Sequence, residues 1–301
     1  MRKIVIAGGT GFLGRLLSKY LYNAGFDVYI LTRSVEISDK FKYVYWDGQS
    51  LGRWTEILEG AEAVINLCGK SVNCRYNEHN KSLIYTTRII PTNLLGRAIS
   101  KCVNPPKVWM NSSSATIYAD SYHQANTEDT GIIGEGFSVD VCRKWELEFN
   151  SFTLPKTRKV ILRTSIVLGK NGGALIPIKT LVKFGLGGKH GSGDQFVSWI
   201  HEEDFCRAIS FILEHSDLKG VINIAAPCPV TNFELMNTIR GIMKVPFGIP
   251  QGEKLLGFGA LLIGTETELV LKSRRVVSNK LNYCNFKFKF NNVRHALKDL
   301  L

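Results

Sequence analysis

No stretch of the chain is long and apolar enough to cross a bilayer as a helix, which takes about 18 or more such residues. The longest, Leu255-Leu256-Gly257-Phe258-Gly259-Ala260-Leu261-Leu262-Ile263, falls well short and reads as a buried helix. Met1 runs directly into the first apolar strand, so no signal peptide is expected. Cysteine is present without pattern: seven residues, at 68, 74, 102, 142, 206, 228 and 284, never as C-x-x-C. An odd, scattered set excludes a disulfide framework and a zinc site; reduced thiols in a cytoplasmic protein are expected, with no metal and no membrane. Acid is short as well, with 26 acidic residues against 38 basic ones and a net charge of +12. Such a surplus suits nucleic acid, or equally an anionic cofactor and a phosphorylated substrate. The charge is spread along the chain, with some enrichment at Lys272, Arg274, Arg275, Lys280, Lys287 and Lys289. No nucleic-acid motif or low-complexity arm accompanies it, so that partner is not expected.

Glycine, by contrast, is concentrated where it matters most. Residues Lys3 to Ala7 read as a strand, Gly8-Gly9-Thr10-Gly11-Phe12-Leu13-Gly14 as a tight turn, and Arg15 to Leu21 as a helix. Gly9, Gly11 and Gly14 fit G-x-G-x-x-G, while Gly8, Gly11 and Gly14 fit G-x-x-G-x-x-G. Between a strand and a helix this is a dinucleotide fingerprint: backbone N–H groups at the helix N-terminus face a pyrophosphate. The second strand, Asp27 to Thr32, ends at Arg33. An acid about 20 residues after the glycines would hold an NAD ribose; an arginine there suits a 2′-phosphate and points to NADP(H).

Further strands are read at 43–46, 63–69, 107–111, 159–163 and 221–224, with helices between them. The alternation predicts an α/β fold with a doubly wound parallel sheet. Asp47, after the third strand, either touches adenine or closes a turn, and Gly69 leaves room for the nicotinamide half. Pro91 should kink or restart the long helix 77–101. Arg88, one turn earlier, either reaches a phosphate or is a solvated helical residue. The fifth strand delivers Ser112-Ser113-Ser114 to its carboxyl end, where open α/β sheets carry their chemistry. Residues 118–136 read as a polar, mobile loop. The glycine-dense 185–196 stretch suits a substrate wall over the nicotinamide, with Lys189 and His190 facing an anion. His201 near Asp204 reads as a helix cap and core residue rather than an acid–base pair. Residues 1–165, completed by about 197–225, are assigned to the cofactor domain; 166–196 and 226–301 form a small C-terminal substrate lobe.

These residues resemble the extended and atypical short-chain dehydrogenase/reductases, in the glycine turn and in Ser112-Ser113-Ser114-Ala115-Thr116-Ile117-Tyr118. The branch most similar is the epimerase-like one with a C-terminal domain of unknown function. Trp46-Asp47, Ile65-Asn66-Leu67-Cys68-Gly69, Thr87-Arg88, Val141-Cys142-Arg143-Lys144-Trp145-Glu146, Trp199-Ile200-His201 and Ser273-Arg274-Arg275-Val276-Val277 carry that resemblance. It implies a Rossmann domain binding NADP(H), lined by Thr32, Arg33, Leu67, Cys68, Arg88 and Val167. It also implies a Y-x-x-x-K pair after the serine strand, and here the chain departs. Lys144 fits the lysine, but Asp140 stands where the tyrosine belongs. Ser114, Asp140 and Lys144 are therefore the candidate catalytic set. The expected function is an epimerase-like oxidoreductase acting on an alcohol, ketone or nucleotide-sugar-like substrate. The alternative is a non-catalytic NADPH-binding redox sensor. A homodimer is compatible with either.

Overall fold

A computed structural model describes residues 2–34, 38–252 and 268–301 of the chain; the Leu255–Ile263 stretch lies outside the described residues. Strand β1 (Lys3–Ala7) is apolar at every position from Ile4 onward, and successive side chains point to opposite faces. Ile4 and Ile6 enter one core, Val5 and Ala7 the other, so the strand is covered on both sides. Helix α1 (Phe12–Asn23), strand β2 (Asp27–Thr32), strand β3 (Lys42–Tyr45) and strand β4 (Ala63–Asn66) follow. Then come α2 (Glu78–Ile99), β5 (Val108–Ser114), α3 (Phe137–Asn150) and β6 (Arg158–Thr164).

Six of these strands and a later one, Gly220–Ile224, form a seven-stranded sheet in which every paired neighbour is parallel. The added strand pairs with β6 at the edge, β5 follows, and β4, β1, β2 and β3 complete the order. The doubly wound parallel sheet expected from the alternation is thus the fold observed. Leu17 and Leu21 of α1 pack on one face. Leu94, Leu95 and Phe149 of α2 and α3 pack on the other. The order in which strands are added reverses at β1, with β2 and β3 on one side and β4, β5 and β6 on the other. A crevice for a ligand opens at such a reversal, outside the strands' carboxyl ends.

The remaining chain builds a smaller body. Strand β7 (Ile166–Gly169) pairs antiparallel with β8 (Gly172–Gly173). Helix α4 (Leu175–Lys183) follows, then β9 (Phe196–Val197) and β10 (Trp199–His201), which lies parallel to β7. Helix α5 (Glu202–Glu214) leads back into the main sheet. Leu175, Trp199, Ile239, Phe290 and Leu297 belong to this body's own core. His201 caps α5 through Nδ1, which accepts the Glu203 N–H at 3.0 Å, and its ring stacks on Phe290 with centroids 3.7 Å apart. The cap-and-core expectation describes it.

Two expectations change. Helix α2 does not restart at Pro91 but runs as one helix from Glu78 to Ile99, with Pro91 buried inside it. The buried apolar residues of its second half hold it against the sheet, so packing overrides the proline's local preference. Residues 118–136 are held rather than loose. Tyr118 is fully buried, and Asn126 pairs with the 275–277 backbone, its N–H donating to Arg275 at 2.7 Å. The Glu128 carboxylate accepts from Ser278 Oγ, the Asn279 N–H and the Asn223 N–H at 2.8, 2.8 and 2.9 Å. Polarity in this segment serves a clasp on the C-terminal chain, a role composition does not distinguish from exposure to water.

Candidate functional site

The turn after β1 is shaped by contacts that leave no room for side chains. Gly8 has φ +77°, and a Cβ there would lie 2.9 Å from the Leu67 and Cys68 backbone across the crevice. A Cβ on Gly14 would lie 2.5 Å from the Gly8 carbonyl, so helix and turn can close only with glycine. Gly9 lies against Ile30, and the Gly11 N–H returns to the Gly8 carbonyl at 3.2 Å. Gly11 is the N-cap of α1 and supplies no side-chain cap, and the first turn carries no acid. The orphan N–H groups and the positive end of the helix dipole therefore face the crevice free for an anion. Thr10 contributes a carbonyl that accepts Arg15 Nε at 2.7 Å. Leu13 packs into the core below. The Phe12 ring is wedged under the β7–β8 hairpin, where a Cβ on Gly169 or Gly172 would come within 2.3 or 2.2 Å of it. Those glycines admit an aromatic ring, and the hairpin is thereby keyed to the glycine turn.

Around the crevice, Thr32 ends β2 and its hydroxyl accepts the Ser34 N–H at 3.1 Å, which leaves Arg33 exposed. Burial pushes the Cys68 thiol up to about 12 against the pull of the nearby Arg33 guanidinium. Arg33 and Cys68 are thus brought to the same crevice from β2 and β4. Leu67 packs on the core, and the Cys68 N–H is held by Asn66 Oδ1 at 3.1 Å. Beneath it Asn66, Asn111, Thr92 and the Trp145 indole form a buried hydrogen-bonded set, with bonds of 2.7 to 3.2 Å. Val167 is 7% exposed, its side chain in the main core.

Arg88 reaches back from α2 as expected, but to carbonyls: Ile84 at 2.9 Å and Lys70 at 3.0 Å. Its guanidinium lies 5.2 Å over the Trp145 ring, and burial lowers its pKa. The space beside Gly69 is filled by that guanidinium, 3.0 Å from where a Cβ would stand. Asp47 takes the turn role, accepting from the Gln49 and Ser50 N–H groups and from Ser50 Oγ, and these bonds hold its carboxyl below the ordinary range.

Ser114 is the last residue of β5, its hydroxyl bonded to Thr116 at 2.9 Å. Cys142 of α3 rests against the Ser114 backbone amide, its thiol pushed up to about 12 by burial. Asp140 and Lys144 form an i,i+4 pair at 2.9 Å. A third member escaped the sequence reading. Tyr85 of α2 donates its hydroxyl to the same Asp140 Oδ2, and Lys144 Nζ lies 4.8 Å over the Tyr85 ring. The hydrogen bond from Lys144, then that from Tyr85, holds the Asp140 carboxyl below its ordinary range. Burial, and then Asp140 itself, raises the Tyr85 phenol. No local spacing links residues 55 positions apart; only the packing of α2 on α3 does.

The glycine-dense stretch is explained by packing. A Cβ on Gly185 would meet Phe247 at 2.5 Å and one on Gly188 the Ile249 carbonyl at 2.3 Å. His190 is 5% exposed, its N–H bonded to Asn232, so it is withdrawn from any anion outside. Among the described residues no group of His, Cys, Asp and Glu is arranged to hold a metal, and no helix is long and apolar enough to cross a membrane.

Comparison with known proteins agrees with this geometry. The NAD dependent epimerase/dehydratase family model matches residues 4–135, and a domain of unknown function, DUF1731, matches 257–300. An epimerase family protein of Staphylococcus haemolyticus is 35% identical over 303 aligned residues, covering 100% of this chain and 99% of the relative. The crystal structure of human epimerase family protein SDR39U1 (isoform 2) with NADPH superposes with a TM-score of 0.87 at 27% identity, over 99% of this chain and 98% of that one. A nucleoside-diphosphate sugar epimerase from Corynebacterium glutamicum gives a TM-score of 0.79 at 26% identity, over 99% of this chain and 58% of that one. A glycine turn at the sheet's reversal point, a small body keyed to it and likeness along the whole chain lead to one assignment: the protein belongs to the NAD-dependent epimerase/dehydratase family, in the epimerase family branch that carries the DUF1731 domain.

Proposed function

We propose that the chain is an NADP(H)-binding, epimerase-like oxidoreductase for an alcohol, ketone or nucleotide-sugar-like substrate. The observation that carries the cofactor choice is Arg33. It is exposed at the end of β2, where an acid would repel a 2′-phosphate. The uncapped α1 terminus and the side-chain-free turn fit a pyrophosphate, and the related human structure contains NADPH. Gly8, Gly9, Thr10, Gly11, Phe12 and Leu13 would hold the pyrophosphate through the main chain, with Thr32 and Arg33 at the ribose. Leu67, Cys68 and Val167 would form the walls. When bound, the nicotinamide supplies hydride transfer.

The chain's own contribution in this reading is proton handling by the Tyr85, Asp140 and Lys144 cluster. Tyr85 and Lys144 both reach the Asp140 carboxylate and share it between them. In this reading a phenol from α2 stands in for the tyrosine missing from α3. The test follows NADPH absorbance with a panel of ketones, aldehydes and nucleotide sugars. Turnover by the wild type that falls at least a hundredfold in Tyr85→Phe, with NADPH affinity unchanged, is the expected result. Turnover untouched by that substitution removes Tyr85 from the reaction.

A second reading is favoured by one specific feature. Asp140 is engaged by both partners, which leaves the cluster closed on itself. A protein that binds NADPH with no turnover on any member of the panel would match that closure. A thiol-based sensor at Cys142 is disfavoured, because burial raises its pKa and withdraws it from solvent.

A further inference from the structure

The opposite edge of the sheet carries a second cleft, of about 860 Å³, at the amino ends of the strands. Strand register assembles its lining. Val108 pairs with Arg158, and Val160 with Gly220, so Lys107, Arg158, Lys159 and Lys219 line the cleft from three adjacent strand starts, Arg158 on the α5 side of the sheet and Lys159 on the α3 side. Lys156, on the turn before β6, joins them, while Glu62 and Glu214 are the acids of the lining. Both acids are already engaged: Glu62 pairs with Lys107 at 3.0 Å, and Glu214 with Arg2 at 2.8 Å. Among the described residues, Lys156, Arg158, Lys159 and Lys219 have no carboxylate partner.

We propose that this cleft binds a polyphosphorylated small molecule, at a site separate from the dinucleotide crevice. Four cations that lack a paired carboxylate among the described residues, with Asp217 acting on Arg158 only from a distance, exceed what one phosphate neutralises, and several linked phosphates match them. The volume lies within the usual size range of small-ligand pockets. Two of the cations are held in place beforehand. The Arg158 guanidinium is fixed by the carbonyls of Ile212 and Leu218, and Lys159 Nζ by that of Phe152 at 2.8 Å. Burial lowers the pKa of both, a cost that a bound anion offsets. Lys156 and Lys219 are exposed on their turns and free to close on a ligand. The inference does not rest on the activity proposed above.

Calorimetric titration of inorganic tripolyphosphate into the full chain tests it, with and without saturating NADPH. NADPH removes the pyrophosphate cradle of the other site from the competition. Binding that persists under NADPH, weakens with added salt and falls at least tenfold in Lys156→Glu/Lys219→Glu is the expected result. The neutral pair Lys156→Gln/Lys219→Gln should fall between wild type and the charge reversal. No binding, binding abolished by NADPH, or equal binding by wild type and the glutamate variant would overturn the proposal. Orthophosphate binding as tightly as tripolyphosphate would overturn the polyphosphate assignment, as would a short DNA duplex binding more tightly at the same residues.

Discussion

Arg33 and Arg88 show how differently one residue type behaves at two ends of a crevice. Arg33 is exposed and free to meet a phosphate, whereas Arg88 is held by two backbone carbonyls and an indole face. Arg33→Ala should weaken NADPH binding tenfold or more and leave NADH binding nearly unchanged, because only the former carries the 2′-phosphate. Fluorescence titration of both cofactors against wild type and variant measures this, and an equal loss for the two would remove Arg33 as the selector. Glycines divide in the same way. Gly8 and Gly14 are legible in the sequence because the turn needs them. Gly69 is not, since the group that fills its space arrives from a helix 19 positions later in the chain.

Elements are joined here by buried polar groups as much as by apolar surface. Glu146 of α3 accepts Arg163 of β6 at 2.8 and 2.9 Å and Ser113 of β5 at 2.6 Å, while Arg163 also donates to Tyr118 at 3.0 Å. Burial works against the Arg163 charge, and pairing with Glu146 outweighs it and raises the pKa. Both side chains of the pair are about one-tenth exposed, so solvent screens them little. Glu146→Ala would leave the guanidinium buried without its partner, at a cost of about 3–5 kcal/mol. A lower urea midpoint for Glu146→Ala, with Glu146→Gln intermediate, is the expected outcome. A midpoint within experimental scatter of the wild type would mean that water or another acid replaces the carboxylate. In sequence these residues read only as helix, strand and serine cluster. Their convergence comes from the parallel register of β5 and β6.

For the whole molecule, two buried histidines set a window of pH sensitivity. Burial lowers the pKa of His190 and of His201 below the ordinary 6.5; at His201 this prevails over the opposing pull of Asp299. Both remain neutral in the folded chain where the unfolded chain takes up protons. Stability from these groups is therefore fully present above about pH 6.5 and is lost as pH falls from there toward the folded pKa values. Depressed carboxylates such as Asp47 and Glu59 act in a separate, lower window that opens near 4.5 and below. Melting temperature should be level down to about 6.5 and then decline, and His201→Gln should flatten part of that decline. A wild-type profile that stays flat to pH 5 would show that the histidines protonate without opposing the fold. The region at stake joins the two bodies: His201 stacks on Phe290, and the buried Asp204 carboxylate accepts the N–H groups of Lys289 and Phe290 at 3.0 and 2.8 Å.

By itself the sequence determined whatever depends on a few consecutive residues. That includes the apolar strands of the sheet, the glycine turn between the first strand and helix, the arginine after the second strand, and the caps that start helices. Turn chemistry and side-chain periodicity act over short distances and leave a local trace. Only the tertiary structure decided what helix packing and strand register bring together. Tyr85 meets Asp140 across two helices, Glu128 clasps the C-terminal chain, and Val160 pairs with Gly220 at the far edge of the sheet. Pro91 belongs to the same class, since burial against the sheet keeps α2 continuous through a residue that locally disfavours it. Such contacts join residues tens of positions apart, and their energies exist only once the chain has closed on itself.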